Sequence, residues 1–207
     1  MLAMRQRETS AGVSSGMSLR NSRESWGWLA MALHWAMAAL ILAAWPIGFA
    51  MTRWFEDDLV QKFELYQLHK SFGFTILALA VLRLLWRLVN TAPELPDTLA
   101  GWEKRLAHAT HWGLYAFFIL LPLTGWLMVS ASPIAVPTVV FGLVPVPHLT
   151  GTDEALYQTT QTAHHWLAWC FGGLLLLHIA AALKHHLVLK DQVLVRMLPL
   201  RPSYKRQ

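Results

Sequence analysis

Histidine is the residue whose positions in this sequence most strongly indicate chemistry. The 207 residues include 10 histidines, and six lie at or within long apolar stretches: His34, His69, His164, His165, His178 and His185. An ionisable side chain inside an apolar segment is costly to bury, so it is a functional candidate by default. Neutral imidazole is also a common metal ligand. The alternative for any single histidine is a hydrogen-bonded role in helix packing. The depth of each histidine and the helix face on which it lies distinguish the two roles.

Two of these histidines, His164 and His178, are 14 residues apart in one apolar stretch. On an α-helix this spacing places them roughly 21 Å apart along the axis and within about 40° of one face. His165 is turned about 140° away from His178 by the same count. One helix therefore presents two imidazoles to the same side, near opposite ends, and this arrangement suits two stacked haems.

Each haem then needs a second ligand at a matching depth. His34 lies roughly 10 Å from the N-terminal end of the first apolar stretch, and His178 lies a similar distance from the C-terminal end of the last one. Because these two ends are on the same side of a four-helix bundle, the two histidines are at the same depth. His69 lies near the start of the second stretch, level with His164. The sequence thus predicts an inner pair, His34 with His178, and an outer pair, His69 with His164. Two imidazole ligands leave iron no open position for oxygen or substrate, so the expected role is electron transfer.

Two arginines follow His69 on the same predicted helix. Arg83 is 14 residues after His69, on the same face and near the depth of the inner haem, and Arg87 is one turn further on. Guanidinium groups pair well with carboxylates, so both are candidate contacts of the haem propionates. The alternative is that they are ordinary basic residues at the membrane boundary.

The elements that must position these residues are membrane-spanning helices. The chain is 55% hydrophobic and only 14% charged, well below the roughly 25% charged residues of a typical soluble domain. Asp, Glu, Lys and Arg are absent from 25–52, 106–152 and 155–183. Each stretch exceeds the roughly 20 apolar residues that a membrane helix needs. We predict an all-α transmembrane four-helix bundle with helices near 27–51, 66–89, 106–129 and 162–188.

The basic residues predict an orientation. Of the 17 Lys and Arg residues, all but Arg53, Lys62 and Lys70 fall on one side of the four predicted helices. By the positive-inside rule both termini are cytoplasmic. The net charge of +5 therefore reflects topology, and no nucleic-acid partner is expected. We expect a disordered leader over 1–25 (a signal peptide is the alternative reading of the first helix), a membrane domain over 26–190 and a basic tail over 191–207.

Several segments resemble the bacterial cytochrome b561 family. They recur in order along the chain, outside the leader: Leu33-His34-Trp35, His69-Lys70-Ser71-Phe72-Gly73, Arg83-Leu84-Leu85-Trp86-Arg87-Leu88, Leu106-Ala107-His108-Ala109-Thr110-His111, the stretch from His178 to His186, and Arg196-Met197-Leu198-Pro199. The resemblance implies a four-helix bundle in the lipid bilayer of a bacterial inner membrane, with two b haems and electron exchange with a ubiquinone-type quinone. Some family members are proposed to oxidise superoxide at the outer face.

Further polar residues gather at the predicted inner end. His108, His111, His185 and His186 lie there together with Lys184. His108 and His111 are candidate contacts of a quinone or of the haem propionates. The alternative hypotheses are that one of them binds the inner haem iron, or that both simply lie at the membrane interface. His185 and His186 could deliver the protons that quinone reduction consumes, because histidine titrates near neutral pH. Contact with lipid headgroups is the alternative for both.

The outer-face donor or acceptor is not specified by the sequence. An anionic donor such as superoxide would be guided by positive charge, and only Arg53, Lys62 and Lys70 are available there. One competing function is a haem-bearing membrane anchor of a hydrogenase- or dehydrogenase-type complex. Another is a histidine-based metal-ion transporter, which would be expected to carry carboxylates within its spans.

Overall fold

Four long helices form the protein in the computed structural model, which describes residues 18–54, 58–96 and 99–199. They are α1 (Trp28–Arg53), α2 (Leu59–Val89), α3 (Gly101–Ala131) and α4 (Glu154–Leu183), and α4 continues as a π-helical extension over Lys184–Leu189. Each is long and apolar enough to cross a membrane. The predicted all-α four-helix transmembrane architecture is confirmed.

Three of the helices are longer than their hydropathy predicts. The side chain of Asp58 accepts a hydrogen bond from the backbone N–H of Gln61, so α2 begins at Leu59 rather than near 66. Asp153 accepts in the same way from Leu156, so α4 begins well before 162. Side-chain capping stabilises a helix start wherever the cap residue lies, whereas hydropathy only marks the part inside lipid. Consequently α2 and α4 extend beyond their apolar stretches at the end of the bundle that carries His69 and His164. This end is called the outer end after the predicted orientation, and the opposite end the inner end.

The buried centre of the bundle lies between the two histidine levels. Phe171 of α4 is seven residues from both His164 and His178 and is 4% exposed. It belongs to an apolar cluster with Met37, Ile41, Ala44, Ile76, Ala80 and Leu114. Large apolar side chains cover the outside of the bundle, among them Leu42 and Leu176. Soluble proteins keep most large apolar side chains inside, whereas a helix bundle surrounded by lipid is expected to carry them on its outer surface.

The connection between α3 and α4 folds back over the outer end of the bundle. Strands β1 (Thr138–Val140) and β2 (Val144–Val146) pair antiparallel, and Phe141 and Gly142 both have positive φ in the turn between them. Val140 pairs with Val144, so the loop of this hairpin has three residues, 141–143. The carbonyl of Pro137 accepts hydrogen bonds from Gln67 and Lys70 of α2. The hairpin is therefore tied down beside His69.

The inner end is closed by three segments outside the four long helices, 18–27, 90–96 and 191–199, the last of which contains a 3₁₀ turn at Val195–Met197. Asn21 donates from its side chain to the Thr91 carbonyl at 3.0 Å, and the Glu94 N–H donates to Arg23 at 3.0 Å. The Arg196 guanidinium donates to the Glu94 carbonyl. The described ends of the predicted leader and tail are thus hydrogen-bonded to the bundle, since their polar groups find backbone partners there. Residues 1–17 and 200–207 lie outside the described residues.

Candidate functional site

The outer pair of histidines meets between α2 and α4. The ring centres of His69 and His164 are 6.3 Å apart and their planes are inclined by 82°. Both rings line a cavity with about 560 Å³ of empty space, including its open side, together with Trp45, Phe117 and Phe171. The structure therefore places the two predicted partners next to each other in the wall of an apolar cavity.

Backbone carbonyls of the other two helices hold these rings. The Nδ1–H of His69 donates to the Ala44 carbonyl of α1 at 3.0 Å. The Nδ1–H of His164 donates to the Leu121 carbonyl of α3 at 3.1 Å, and the Thr124 hydroxyl lies 3.1 Å from the same nitrogen. A proton fixed on Nδ1 leaves Nε2 as the free lone pair. Histidines that bind metals are usually oriented in this way.

Glycines make room for both hydrogen bonds. Gly48 is one helical turn after Ala44, and a Cβ there would stand 2.9 Å from Cε1 of His69. Gly125 is one turn after Leu121, and its Cβ would stand 3.2 Å from Cε1 of His164. Hydropathy and helical spacing predicted none of these residues. The available signal was a glycine inside an apolar helix. Such a glycine costs about 1 kcal/mol of helix stability relative to alanine, so its presence indicates that another side chain approaches the backbone closely there.

The inner pair meets between α1 and α4. The ring centres of His34 and His178 are also 6.3 Å apart, with planes inclined by 69°. His111 of α3 approaches the same partner, with its ring centre 5.5 Å from that of His178. The inner site thus gathers three imidazoles, two of which are the predicted pair.

The two predicted arginines lie beside α3. Arg83 donates from Nε to the Tyr115 hydroxyl at 3.2 Å. The guanidinium of Arg87 lies over the rings of Trp112 and Tyr115, at 5.4 and 5.7 Å from their centres. Cation–π contacts of this kind hold the group in place while leaving its N–H donors available. Both arginines therefore keep donors for an anionic partner.

The remaining candidate histidines are not gathered into either pair. His165 is exposed and packs on Trp166 and Trp169. His108 and His186 are exposed at the inner end. His185 pairs instead with Asp191, with Nδ1 and Oδ2 2.5 Å apart. The chain is π-helical from Lys184, so the α-helical periodicity of α4 does not extend through His185.

A family model described as prokaryotic cytochrome b561 matches residues 25–200. This chain belongs to the prokaryotic cytochrome b561 family. It is similar to cytochrome b561 homolog 2 of Escherichia coli K12, at 32% identity over 183 residues that span 88% of this chain and 95% of the relative. It is also similar to the probable superoxide oxidase CybB of Yersinia pestis, at 32% identity over 171 residues that span 83% and 94%. Cytochrome b561 homolog 1 of E. coli K12 is 26% identical, spanning 82% and 94%.

Membership identifies a multi-pass membrane protein that is a b-type cytochrome in electron transfer, with haem b as cofactor. The two histidine pairs of this b561 chain fit such a group. An iron bonded at about 2 Å to two imidazole nitrogens, each with its ring centre roughly 1 Å further out, separates the ring centres by about 6 Å. Both observed separations are 6.3 Å. The 5.5 Å between His111 and His178 is short of that value.

Proposed function

We propose that this cytochrome binds two b haems and carries electrons between a donor at the outer face and the quinone pool of the bacterial inner membrane. The observation that carries the proposal is the presence of two facing imidazole pairs at two depths, with equal ring separations. His34 and His178 would hold the inner haem, and His69 and His164 the outer one. The bound haems supply reversible one-electron chemistry.

The residues between the two levels favour electron transfer over substrate chemistry. Phe171, with Phe117 and Phe118 packed against it, fills the space midway between the pairs. This layer excludes water, and histidines on both sides of each iron would leave no open coordination position. Each of the two proposed haem sites would thus be shielded from water and would have no pocket for a substrate at the metal.

The orientation rests on the distribution of charge. All but three of the 17 Lys and Arg residues lie on the side of His34 and His178, which the positive-inside rule makes cytoplasmic. Both termini are then in the cytoplasm, and the hairpin and the projecting ends of α2 and α4 face outwards.

Quinone chemistry is proposed at the inner end, where proton-carrying groups gather. Reducing a quinone consumes two protons. His185 is hydrogen-bonded to Asp191, an arrangement that can hold a proton and release it towards the membrane boundary. His186 is exposed beside it, and His108 and His111 lie on α3 at the same end. A ubiquinone-type headgroup reaching this end would find both a proton source and the inner haem.

Superoxide is the outer donor that the relatives favour, because the Yersinia pestis protein is named a probable superoxide oxidase. A protein donor is the second candidate. It is favoured by the start of α2, where Leu59, Val60 and Phe63 are between 51% and 75% exposed on the part of the helix that projects beyond the membrane. Exposed apolar groups in water are typical of a protein interface, as in an anchor subunit of a dehydrogenase-type complex.

The test uses the full chain in liposomes that contain ubiquinone. Superoxide generated outside should reduce the haems, and ubiquinol should accumulate in the membrane. Added superoxide dismutase should abolish both signals. Haem reduction without ubiquinol would contradict the quinone assignment, and no haem reduction by superoxide would leave the protein donor as the better candidate.

A further inference from the structure

A second cavity lies at the inner end of the bundle, beneath segment 18–27. It has about 320 Å³ of empty space, including its open side, and is lined by residues of α1, α2, α3 and that segment, among them Asn21, Arg83, Trp86, Arg87 and Tyr115. None of the described residues that line it is acidic. Two guanidinium groups in a partly closed cavity create a strongly positive environment.

Trp86 is the unusual member of this lining. Its indole Nε1 is buried and has no hydrogen-bond partner within the described residues. Buried polar groups in native proteins are nearly always paired, so an orphaned donor indicates a partner that the chain itself does not supply. Other indoles of the protein follow the usual pattern, since Trp35 donates to Met197 at 2.8 Å and Trp126 to Pro147 at 2.9 Å.

The missing partner must accept hydrogen bonds and tolerate two positive charges. The indole N–H is a donor only, and guanidinium groups are donors only. The bond from Arg83 to Tyr115 uses Nε alone, and Arg87 is held by ring contacts, so both keep terminal N–H groups free for a ligand. An oxyanion with two or more oxygens satisfies all three side chains at once.

We propose that this inner cavity is an oxyanion site in which Trp86 donates a hydrogen bond beside Arg83 and Arg87. Two sources offer the required chemistry. One is a propionate carboxylate of the inner haem, a source that rests on the proposed function; Ala30, which lines the cavity, is one helical turn before His34. The other is the phosphate of an anionic phospholipid in the inner leaflet.

Segment 18–27, which covers the cavity, belongs to the same site. The Asn21 amide donates to the Thr91 carbonyl and accepts from the Gly27 N–H at 2.9 Å. Both ends of this side chain are therefore used to hold segment 18–27 across the cavity. A covered site excludes water, which strengthens the hydrogen bonds from Trp86 and the arginines to an anion.

The experiment observes the indole N–H groups of the dithionite-reduced full chain, labelled with ¹⁵N at tryptophan. The sample is prepared in nanodiscs of phosphatidylcholine alone and in nanodiscs that also contain phosphatidylglycerol. Eleven indole cross-peaks are expected from the 11 tryptophans, and W86F identifies the cross-peak of Trp86. Trp35 and Trp126 provide the positions of hydrogen-bonded indoles in the same spectrum. W102F is the matched control, because Trp102 is 60% exposed at the same end of the protein.

We expect the Trp86 proton to lie downfield with those of Trp35 and Trp126. A downfield position in both lipids that is lost in His34→Ala, which should lack the inner haem, identifies the haem carboxylate. A downfield position that appears only with phosphatidylglycerol identifies the phosphate of an anionic lipid, and one that is kept in both lipids and in His34→Ala overturns both sources. An unbonded position in both lipids overturns the proposal. If W86F does not accumulate, R83Q leaves every indole in place and should shift one downfield cross-peak; no change in R83Q also overturns the proposal.

Haem content measured on the same sample separates this site from the proposed function. A protein that carries two haems while its Trp86 N–H stays unbonded contradicts the oxyanion site alone. A protein without haem contradicts the proposed function, and the phosphatidylglycerol sample then still tests the phosphate. For the haem carboxylate we also expect W86F to lower the midpoint potential of the inner haem, because a less compensated anion favours ferric iron. The potential of the outer haem should not change.

Discussion

The backbone of Gly48 lies so close to the His69 ring that a Cβ at this glycine would stand 2.9 Å from Cε1. The same turn of α1 supplies the Ala44 carbonyl that accepts the proton of this imidazole. One turn of helix therefore both orients the histidine and leaves the space for it. Gly125 and the Leu121 carbonyl repeat the arrangement for His164 on α3.

The first prediction concerns this contact. Gly48→Ala should displace His69 and deplete the outer haem, because overpacking at a rigid contact typically costs about 1–3 kcal/mol. Gly125→Ala should do the same more weakly, since its contact is 3.2 Å. Haem content per chain and the spectrum of the reduced protein measure the loss. Gly173→Ala is the matched control because a Cβ there meets nothing within 4 Å; an equal loss in that variant would contradict the role of the close approach.

The second prediction separates the two haems by their ligands. His69→Ala or His164→Ala should remove the outer haem and keep the inner one, and His34→Ala or His178→Ala should do the reverse. Redox titration of the remaining haem, followed by its absorption, distinguishes the two cases. His165→Ala serves as the control, because that ring packs on tryptophans instead. Loss of haem from the control with retention in His164→Ala would show that the facing argument is wrong.

The third prediction decides among the three inner imidazoles. His111→Ala should retain a low-spin inner haem, since its 5.5 Å ring separation from His178 is too short for a shared iron. His34→Ala should lose that haem. A high-spin spectrum in His111→Ala, together with a low-spin one in His34→Ala, would exchange their roles.

The fourth prediction concerns proton delivery at the inner end. His185→Ala and Asp191→Asn should both slow electron exchange with a soluble quinol, on the order of 10²-fold, because they remove one proton-carrying pair. Both haem spectra should be unchanged. His165→Ala is the control, since this exposed histidine lies near the opposite end of α4 and packs on tryptophans. Unchanged rates in both His185→Ala and Asp191→Asn would place quinone chemistry elsewhere.

The fold was predictable from hydropathy because lipid imposes a strong and simple constraint on composition. The helix ends were not, because they depend on caps such as Asp58 and Asp153 that lie outside the apolar stretches. The juxtaposition of His164 with His69 followed from spacing and depth, which a regular helix preserves.

What the sequence could not predict depends on contacts between different helices. The close approach of Gly48 to His69 exists only when α2 is packed against α1. Trp86 lines a cavity only when the surrounding helices have come together. The pairing of His185 with Asp191 requires the change from α- to π-helical geometry at Lys184, for which helical periodicity gives no signal. His111 was one of several candidates at the inner end until its distance to His178 was known.

Four histidines are expected to hold two haems in each chain. The most direct measurement is the pyridine haemochrome content of the purified full chain against its mass by amino-acid analysis, together with the spin state of the oxidised protein. Two imidazole pairs predict about two b haems per chain, both low-spin. A content near one, or a high-spin spectrum from either haem, would contradict the account.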